Sequence, residues 1–206
     1  MGHGQGQGQD RPDTRTRIQD AATVLFRRNG YAGTGLKQIA AEADAPFGSI
    51  YHFFPGGKQQ LTEETIRTAG AAYSRMVLAL LDSVADPVES VTHAFATAAD
   101  DLEATGYADA CPIATVALEV ASTNETLRIA TADVFAEWVA AGEQWFARWV
   151  PDPGTARSLA QSLIMILEGA FVLSRAARDR EPLRAAGRSM AALLRSAIEE
   201  AGRPSE

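Results

Sequence analysis

The chain has 206 residues, 46% of them hydrophobic, which is enough for one large or two small domains with a sizeable core. One cysteine excludes an internal disulfide, and we expect neither a signal peptide nor a run long and apolar enough to span a bilayer. The net charge of −7 argues against a uniformly basic nucleic-acid-binding protein, and these features together suit a bacterial cytoplasmic protein.

The Ala-rich chain lacks alternating β-branched runs, so an all-α fold is predicted. Residues 1–12 form a Gly/Gln-rich segment that cannot bury apolar area and is expected to be disordered. A first helix is predicted over 13–29, ended by a left-handed cap at Asn29-Gly30. Its apolar face consists of Ile18, Ala22, Leu25 and Phe26.

The next stretch, TGLKQIAAEADAPFGSIYHFFPGGK, predicts a helix-turn-helix. Its first helix covers 35–43, where the apolar residues recur at helical spacing and Thr34 is placed to cap the start. Asp44 breaks the pattern and tolerates the left-handed backbone that a tight turn needs. Pro46 suits the start of the second helix, 46–53, because its missing N–H would be unpaired there anyway.

The outward face of the second helix carries ring, hydroxyl, phenol and imidazole groups instead of the usual Lys, Glu and Gln. These groups suit phosphates and base edges, and a small residue among them lets another surface approach. At the next helix start, a lysine beside Gly56-Gly57 suits a phosphate. The predicted DNA-binding residues are Thr34, Lys37, Pro46, Phe47, Gly48, Ser49, Tyr51, His52 and Lys58.

The run GSIYHFFPGGKQQL resembles the signature of the TetR/AcrR family of bacterial regulators, and together with ACPIATVALE it resembles in particular the LmrA/YxaF/QdoR branch. The resemblance implies a three-helix DNA-binding domain over 13–57 whose third helix reads the groove. Two residues depart from the family pattern. Asp44 stands where Gly is usual, and Phe47 stands where a basic or polar residue is common, so one polar contact to DNA would become apolar.

The charge is divided unevenly along the chain. Residues 1–58 hold seven basic and five acidic side chains, a balance of +2, whereas residues 59–206 hold twelve and twenty-one, a balance of −9. The positive part is therefore the part predicted to contact phosphate, with an excess small enough that placed contacts should matter more than bulk charge. Three arginines either form a basic arm along the DNA or begin a solvated helix: Arg11, Arg15 and Arg17.

Residues 58–201 are predicted to form a ligand-binding and dimerisation domain, followed by a tail at 202–206. A continuous apolar pattern over 57–84 predicts one helix of about 40 Å, which could carry motion between the domains or be a plain core helix. Further helices are predicted over 87–105, from Cys111-Pro112 onward, and over 124–149, the last holding all three tryptophans.

Aromatic and apolar side chains in these helices suit a pocket for a flat apolar ligand, although core packing explains them equally well. Cys111 is either a buried small side chain or a pocket or redox thiol with a pKa lowered by a helix N-terminus. Glu119 either holds a polar ligand group, or it pairs with an arginine or faces water. The predicted ligand-binding residues are Phe95, Leu102, Tyr107, Cys111, Ile113, Val116, Trp138, Trp145 and Phe171.

The last two predicted helices, 155–179 and 182–200, are apolar over more than one face and contain many small residues. The family resemblance implies that they form a four-helix interface in a homodimer. Two-fold pairing would also double the base pairs that one short recognition helix can cover. The predicted interface residues are Leu163, Ile166, Leu167, Ala170, Met190 and Leu194.

The sequence contains no Gly-rich phosphate loop and no nucleophile elbow, and its three histidines lack metal-ligand spacing. We therefore predict no catalytic residue, metal or cofactor. The leading hypothesis is a homodimeric repressor that is associated with the nucleoid in the cytoplasm. Its expected partners are a double-stranded DNA operator, a small-molecule effector and a second copy of itself. The alternatives are a helical small-molecule carrier without a DNA role, and an enzyme that uses Cys111.

Overall fold

The computed structural model describes residues 12–109 and 111–203, and this part of the chain consists of nine helices and no strand. The predicted disordered segment 1–12 lies, apart from Pro12, outside the described residues, as does most of the predicted tail. The helices are α1 (Thr14–Asn29), α2 (Leu36–Glu42), α3 (Phe47–Phe53), α4 (Gly57–Asp82), α5 (Pro87–Ala104), α6 (Pro112–Val120), α7 (Glu125–Phe146), α8 (Pro153–Ala177) and α9 (Glu181–Ala201). The all-α prediction is confirmed.

The first three helices enclose a small core around Ile18, Phe26 and Ile39. Asp13 caps the start of α1, and its carboxylate accepts a hydrogen bond of 3.0 Å from the backbone N–H of Thr16. Asp44 occupies the turn between α2 and α3 with a φ of 45°, so the predicted left-handed turn is confirmed.

The prediction that Thr34 caps α2 is wrong. The residue at the N-cap is Gly35, which makes no side-chain capping bond. Thr34 is fully buried, and its hydroxyl donates to the carbonyls of Leu25 at 3.2 Å and Gly30 at 2.8 Å. It therefore closes the α1–α2 turn from inside, because a buried hydroxyl needs a nearby acceptor.

The long helix α4 spans about 39 Å at 1.5 Å per residue and joins the two halves of the protein. It crosses α7 at Gly70, where an added Cβ would lie 2.4 Å from Val134. The indole N–H of Trp138 donates to the Gly70 carbonyl at 2.9 Å, which ties the two helices together at this crossing. A larger residue at position 70 would push α4 and α7 apart.

The buried side chains form two clusters that do not follow the predicted domain boundary at residue 57. One cluster is continuous from the first three helices into α6 and α7, and includes Ile50, Ile113 and Trp138. The other consists mainly of residues of α4, α5, α7, α8 and α9, and includes Phe95 and Met190. The first three helices are therefore packed against the C-terminal half through a shared apolar core.

Two predictions about the C-terminal helices need correction. α7 ends at Phe146, so Trp149 lies in the following turn, where Pro151 disfavours a helical conformation for the residue before it. Contrary to expectation, α8 is long and apolar enough to cross a membrane, with a mean hydropathy of 1.4 over its best window. It packs against α7 and α9, and its buried face belongs to the core.

A candidate DNA-binding face and effector cavity

The outward face of α3 is not part of the core. Ile50 is the buried anchor of this helix, whereas Phe47 is 42% exposed and Tyr51 is 51% exposed. These two rings lie one helical turn apart and contact each other edge to face, with centroids 5.8 Å apart. Their exposed edges form an aromatic ridge with a phenolic hydroxyl beside it.

The other predicted contacts on this face are also accessible. Gly48 and His52 are exposed beside the ridge, and an added Cβ at Gly48 would meet nothing within 4 Å. The glycine therefore leaves open space in front of the helix. Pro46 and Lys37 are exposed and Ser49 is partly exposed. This group of side chains is available to a second molecule.

Two predicted DNA contacts are placed differently. Thr34 is buried and cannot reach DNA. The Lys58 ammonium donates to the carbonyl of Tyr31 at 2.6 Å and lies 4.2 Å from the centre of the Tyr31 ring. Partial burial lowers the pKa of Lys58, and the nearby charge of Glu119 opposes that shift. The ammonium therefore already holds α4 to the α1–α2 turn.

The arginines of α1 secure the helix-turn-helix instead of forming a free arm. Arg17 donates from Nη1 to the carbonyls of Ala43 at 2.7 Å and Asp44 at 2.8 Å, which fixes the turn before α3. Arg15 pairs with Glu64 on α4. Arg11 lies outside the described residues.

Glu119, on α6, holds the α1–α2 turn. Its carboxylate accepts from the backbone N–H groups of Tyr31 at 3.1 Å and Ala32 at 2.7 Å. The side chain is exposed, as the water-facing alternative predicts, but the sequence did not indicate these two backbone partners. Gly30 is needed beside it, because its φ is 72° and an added Cβ would lie 1.6 Å from the Glu119 carboxylate. This contact joins the C-terminal half to the helix-turn-helix.

A cavity of about 380 Å³ lies between α4, α5 and α8. Its walls are mainly aliphatic and aromatic. Four polar lining residues are neighbours of one another, through contacts from Arg27 to Asp109, from Asp109 to Thr105 and from Thr105 to Asp101, and they form what is here called the polar end. Its lining residues are Arg27, Tyr73, Met76, Val77, Leu80, Leu81, Ala94, Phe95, Ala98, Asp101, Leu102, Ala104, Thr105, Asp109, Leu163, Leu167 and Phe171. A cavity of this size and character suits a small, largely apolar ligand.

Only part of the predicted ligand set lines this cavity: Phe95, Leu102 and Phe171. Trp138 lines a smaller adjoining space of about 50 Å³. The remaining five predicted residues do not line this cavity. Cys111, Ile113 and Val116 are core residues. Trp145 donates its indole N–H to Asp82 at 3.0 Å, and Tyr107 lies in a left-handed turn.

The sequence interpretation missed the α4 wall of the cavity. Tyr73, Val77 and Leu80 recur at helical spacing, but this signal is the same whether a helix faces a packed core or a cavity. It also missed Arg27, whose charge gave no sign that it would turn toward the C-terminal half.

Glu168 lines the smaller space, and the Cys111 thiol lies next to it. Burial, with the negative charge of Glu168 nearby, holds the pKa of the Cys111 thiol well above its usual value. Of the two alternatives for Cys111, the buried small side chain is therefore correct, and the thiol with a lowered pKa is not. Burial raises the pKa of Glu168 to about 7, although the adjacent Cys111 thiol opposes the shift. Cys111 caps α6 by accepting from the Ala114 N–H at 3.4 Å. The Cys111 side chain therefore packs in the core and caps a helix.

Within 12–109 and 111–203 no group of three His, Cys, Asp or Glu is arranged to hold a metal ion.

The last two helices present a different apolar face from the one predicted. Leu163, Ala170, Met190 and Leu194 are buried inside the chain and cannot form a surface, while Ile166 and Leu167 are partly buried. The exposed apolar stripe, here called the α8 stripe, consists of Met165, Gly169, Val172 and Leu173, with Leu193 of α9 also exposed.

Comparison with known proteins assigns both halves of the chain to one family of transcriptional regulators. Residues 18–65 match the family of bacterial regulatory proteins called tetR, and residues 87–189 match the C-terminal domain of LmrA/YxaF-like transcriptional regulators. The chain is 34% identical over 177 residues to the regulator YxaF of Bacillus subtilis, covering 84% of this chain and 91% of that protein. It is 30% identical over 171 residues to LmrA of the same organism, covering 83% and 91%.

Solved structures show the same fold. The regulatory protein TetR from Rhodobacter sphaeroides superimposes with a TM-score of 0.77 at 20% identity, covering 87% of this chain and 98% of that one. A TetR transcriptional regulator from Chloroflexus aurantiacus superimposes with a TM-score of 0.72 at 27% identity, covering 88% and 94%.

Proposed function

This chain belongs to the TetR family of DNA-binding bacterial transcriptional regulators, with a LmrA/YxaF-like C-terminal domain, and we propose that it is a homodimeric repressor released from a palindromic operator by a small apolar molecule. Its relatives are regulators, so the chain is not an enzyme. We place it in the cytoplasm, at the nucleoid.

The observation that carries the DNA-binding role is the exposed face of α3. Phe47 and Tyr51 offer ring edges to thymine methyl groups, and the phenol and the His52 imidazole offer hydrogen bonds to phosphates or bases. Lys37 of α2 supplies a positive charge near this face. Open space at Gly48 lets the DNA approach the helix closely.

The homodimer is supported by the α8 stripe, in which Met165, Val172 and Leu173 are all more than half exposed. Contiguous apolar surface of this kind is unfavourable in water and usually marks a site of protein contact. A two-fold pair would set two α3 helices against two half-sites. Release is supported by the cavity, because a ligand that fits it best in one arrangement of the dimer shifts the population toward that arrangement.

The test is fluorescence anisotropy of the purified chain on duplexes tiled across the DNA upstream of its own gene, at low and moderate salt, with a scrambled duplex alongside. We expect saturable binding to one duplex with a steep salt dependence. Tyr51→Ala and His52→Ala should each weaken it about tenfold, in keeping with the typical value of a placed contact. His93→Ala, an exposed histidine on α5, is the matched control and should bind like the wild type.

Weak, sequence-blind binding to every duplex would favour a small-molecule carrier without a DNA role. Specific binding that survives both α3 substitutions would assign the DNA contact to another surface.

A further inference from the structure

The polar end of the cavity contains a residue from the DNA-binding half of the chain. Arg27 belongs to the last turn of α1, whereas the rest of the cavity wall comes from α4, α5, α8 and the α5–α6 loop. A ligand that reaches this end of the cavity therefore touches the same helix whose other turns hold the helix-turn-helix together.

The neighbours of Arg27 supply acceptors for only part of its guanidinium group. Its Nη2 lies 3.1 Å from Oδ2 of Asp109, but its Nε is buried and has no hydrogen-bond acceptor among residues 12–109 and 111–203. A buried donor without a partner is costly, so a turn of the one-third exposed Arg27 side chain toward a bound acceptor would be favoured.

Asp109 has a second cationic partner. Its Oδ1 accepts from Nε of Arg28 at 2.9 Å, and Arg28 points outward from the cavity wall. If Arg27 turns to another anion, Asp109 therefore keeps a counter-ion, and neither charge is left buried without a partner.

We propose that the effector is a ring-containing apolar molecule with an anionic oxygen group, such as a carboxylate or sulfonate, and that this group binds Arg27. The inference rests on the proposed function and names the chemistry of its ligand. A guanidinium binds such groups through paired, charge-assisted hydrogen bonds. The walls formed by Val77, Leu81 and Phe95 would cover the apolar body.

A cationic effector fits these residues less well. Asp109 is already neutralised by two arginines, and Asp101, the other carboxylate of the wall, is exposed to water, which screens its charge. The buried, unmatched group at this end is a donor, so the complementary ligand group is an acceptor.

The same contact gives the ligand a route to the helix-turn-helix. Asp109 lies in the α5–α6 loop, which α8 holds through Arg175, donating to the carbonyls of Tyr107 at 3.3 Å and Ala108 at 3.2 Å. A ligand that draws Arg27 away from Asp109 removes one of the two ion pairs, with Arg27 and with Arg28, that tie this loop to α1. Ligand binding would then favour a different placement of α1 relative to the C-terminal half.

The test uses two fluorescent probes with the same ring system, 8-anilinonaphthalene-1-sulfonate and the uncharged N-phenyl-1-naphthylamine, titrated into the full chain without DNA. We expect the sulfonate to bind at least about tenfold more tightly than the neutral probe. Arg27→Gln should remove this preference and leave the affinity of the neutral probe unchanged, which also shows that the variant is folded. Arg27→Lys, which keeps the charge but loses the planar fork, should retain only part of it.

The matched control is Arg180→Gln, which removes an arginine paired with Asp100 and Glu103 on the outside of α5 and should keep the full preference. Ala98→Phe, which fills the cavity, should abolish binding of both probes. Equal affinity of the wild type for the two probes would overturn the proposal, as would a preference that survives Arg27→Gln or Ala98→Phe.

Since these titrations contain no DNA, they can succeed or fail independently of operator binding. With an operator in hand, the sulfonate should lower the anisotropy of the wild-type complex and leave the Arg27→Gln complex unchanged. Release of both proteins alike would overturn the role of Arg27, but it would leave the DNA-binding function standing.

Discussion

α3 and α8 both expose apolar side chains, but the two helices are held in place differently. α3 has seven residues and a single buried anchor, Ile50, so its orientation depends on one side chain and on the turn that Arg17 secures. α8 has 25 residues and a buried face that runs along most of its length. Its position is set by the core as a whole.

The exposed surfaces differ accordingly. The α3 face combines aromatic edges with polar groups, which suits a hydrated, charged partner such as DNA. The α8 stripe is aliphatic and includes an exposed glycine, which suits close, dry packing against another protein surface. Binding through α3 should therefore depend on salt, whereas association through α8 should depend on protein concentration and tolerate salt.

The largest expected effect is at the α8 stripe. Val172→Lys would place a charge in the centre of the proposed interface, and we expect it to weaken dimerisation by about 3 kcal/mol or more, because a buried unpaired charge is costly. Sedimentation equilibrium measures the change. Leu118→Lys, at an 82% exposed leucine on α6, is the control and should leave the dimer intact. A dimer that resists Val172→Lys would place the interface elsewhere.

A smaller effect is expected from Glu168 on α8. Its pKa of about 7 in the folded protein lies above the ordinary value of 4.5, so the folded state binds this proton more tightly than the unfolded state does. Its contribution to stability is complete below about pH 4.5 and is lost as the pH rises through about 7.

Between about pH 5.5 and 8.5 the free energy of unfolding should therefore fall by about 2 kcal/mol, measured by urea denaturation. Glu168→Gln cannot titrate and should flatten this dependence. Tyr73 and Cys111, which lie near Glu168, have pKa values well above their usual ones because they are buried, so they remain neutral in this range. An equally steep fall in Glu168→Gln would exclude Glu168 as the source.

The smallest effect should come from Tyr51→Phe on α3. The substitution keeps the edge-to-face contact with Phe47 and removes only the phenolic hydroxyl, so operator affinity should fall by about 1 kcal/mol, the usual value of one hydrogen bond. Anisotropy titration measures it. The melting temperature should not change, since Tyr51 is half exposed. An unaltered affinity would show that the ring, and not the hydroxyl, contacts the DNA.

The predictions for α3 and α8 differed in success for a physical reason. A short helix with one strong apolar anchor has only one possible outward face, so the sequence places Phe47, Tyr51 and His52 on that face, where the structure has them. α8 is apolar on several sides, and periodicity could not tell the side that meets α7 and α9 from the side that meets water. The predicted interface residues Leu163 and Ala170 are consequently buried.

The sequence by itself determined the elements whose cause is local. The presence and order of the helices follow from apolar spacing, and the left-handed turn at Asp44 follows from the side chain that occupies it. The recognition face and the family signature also lie within one continuous stretch, so they could be read without knowing which helices meet.

Only the tertiary structure decided the contacts between distant residues. It turned Lys58 toward Tyr31, placed Glu119 on the α1–α2 turn and brought Arg27 to the wall of a cavity formed by α4, α5 and α8. Each of these side chains has a charge that local sequence would leave in water. Its actual partner depends on how helices far apart in the chain pack together, which no local pattern of residues specifies.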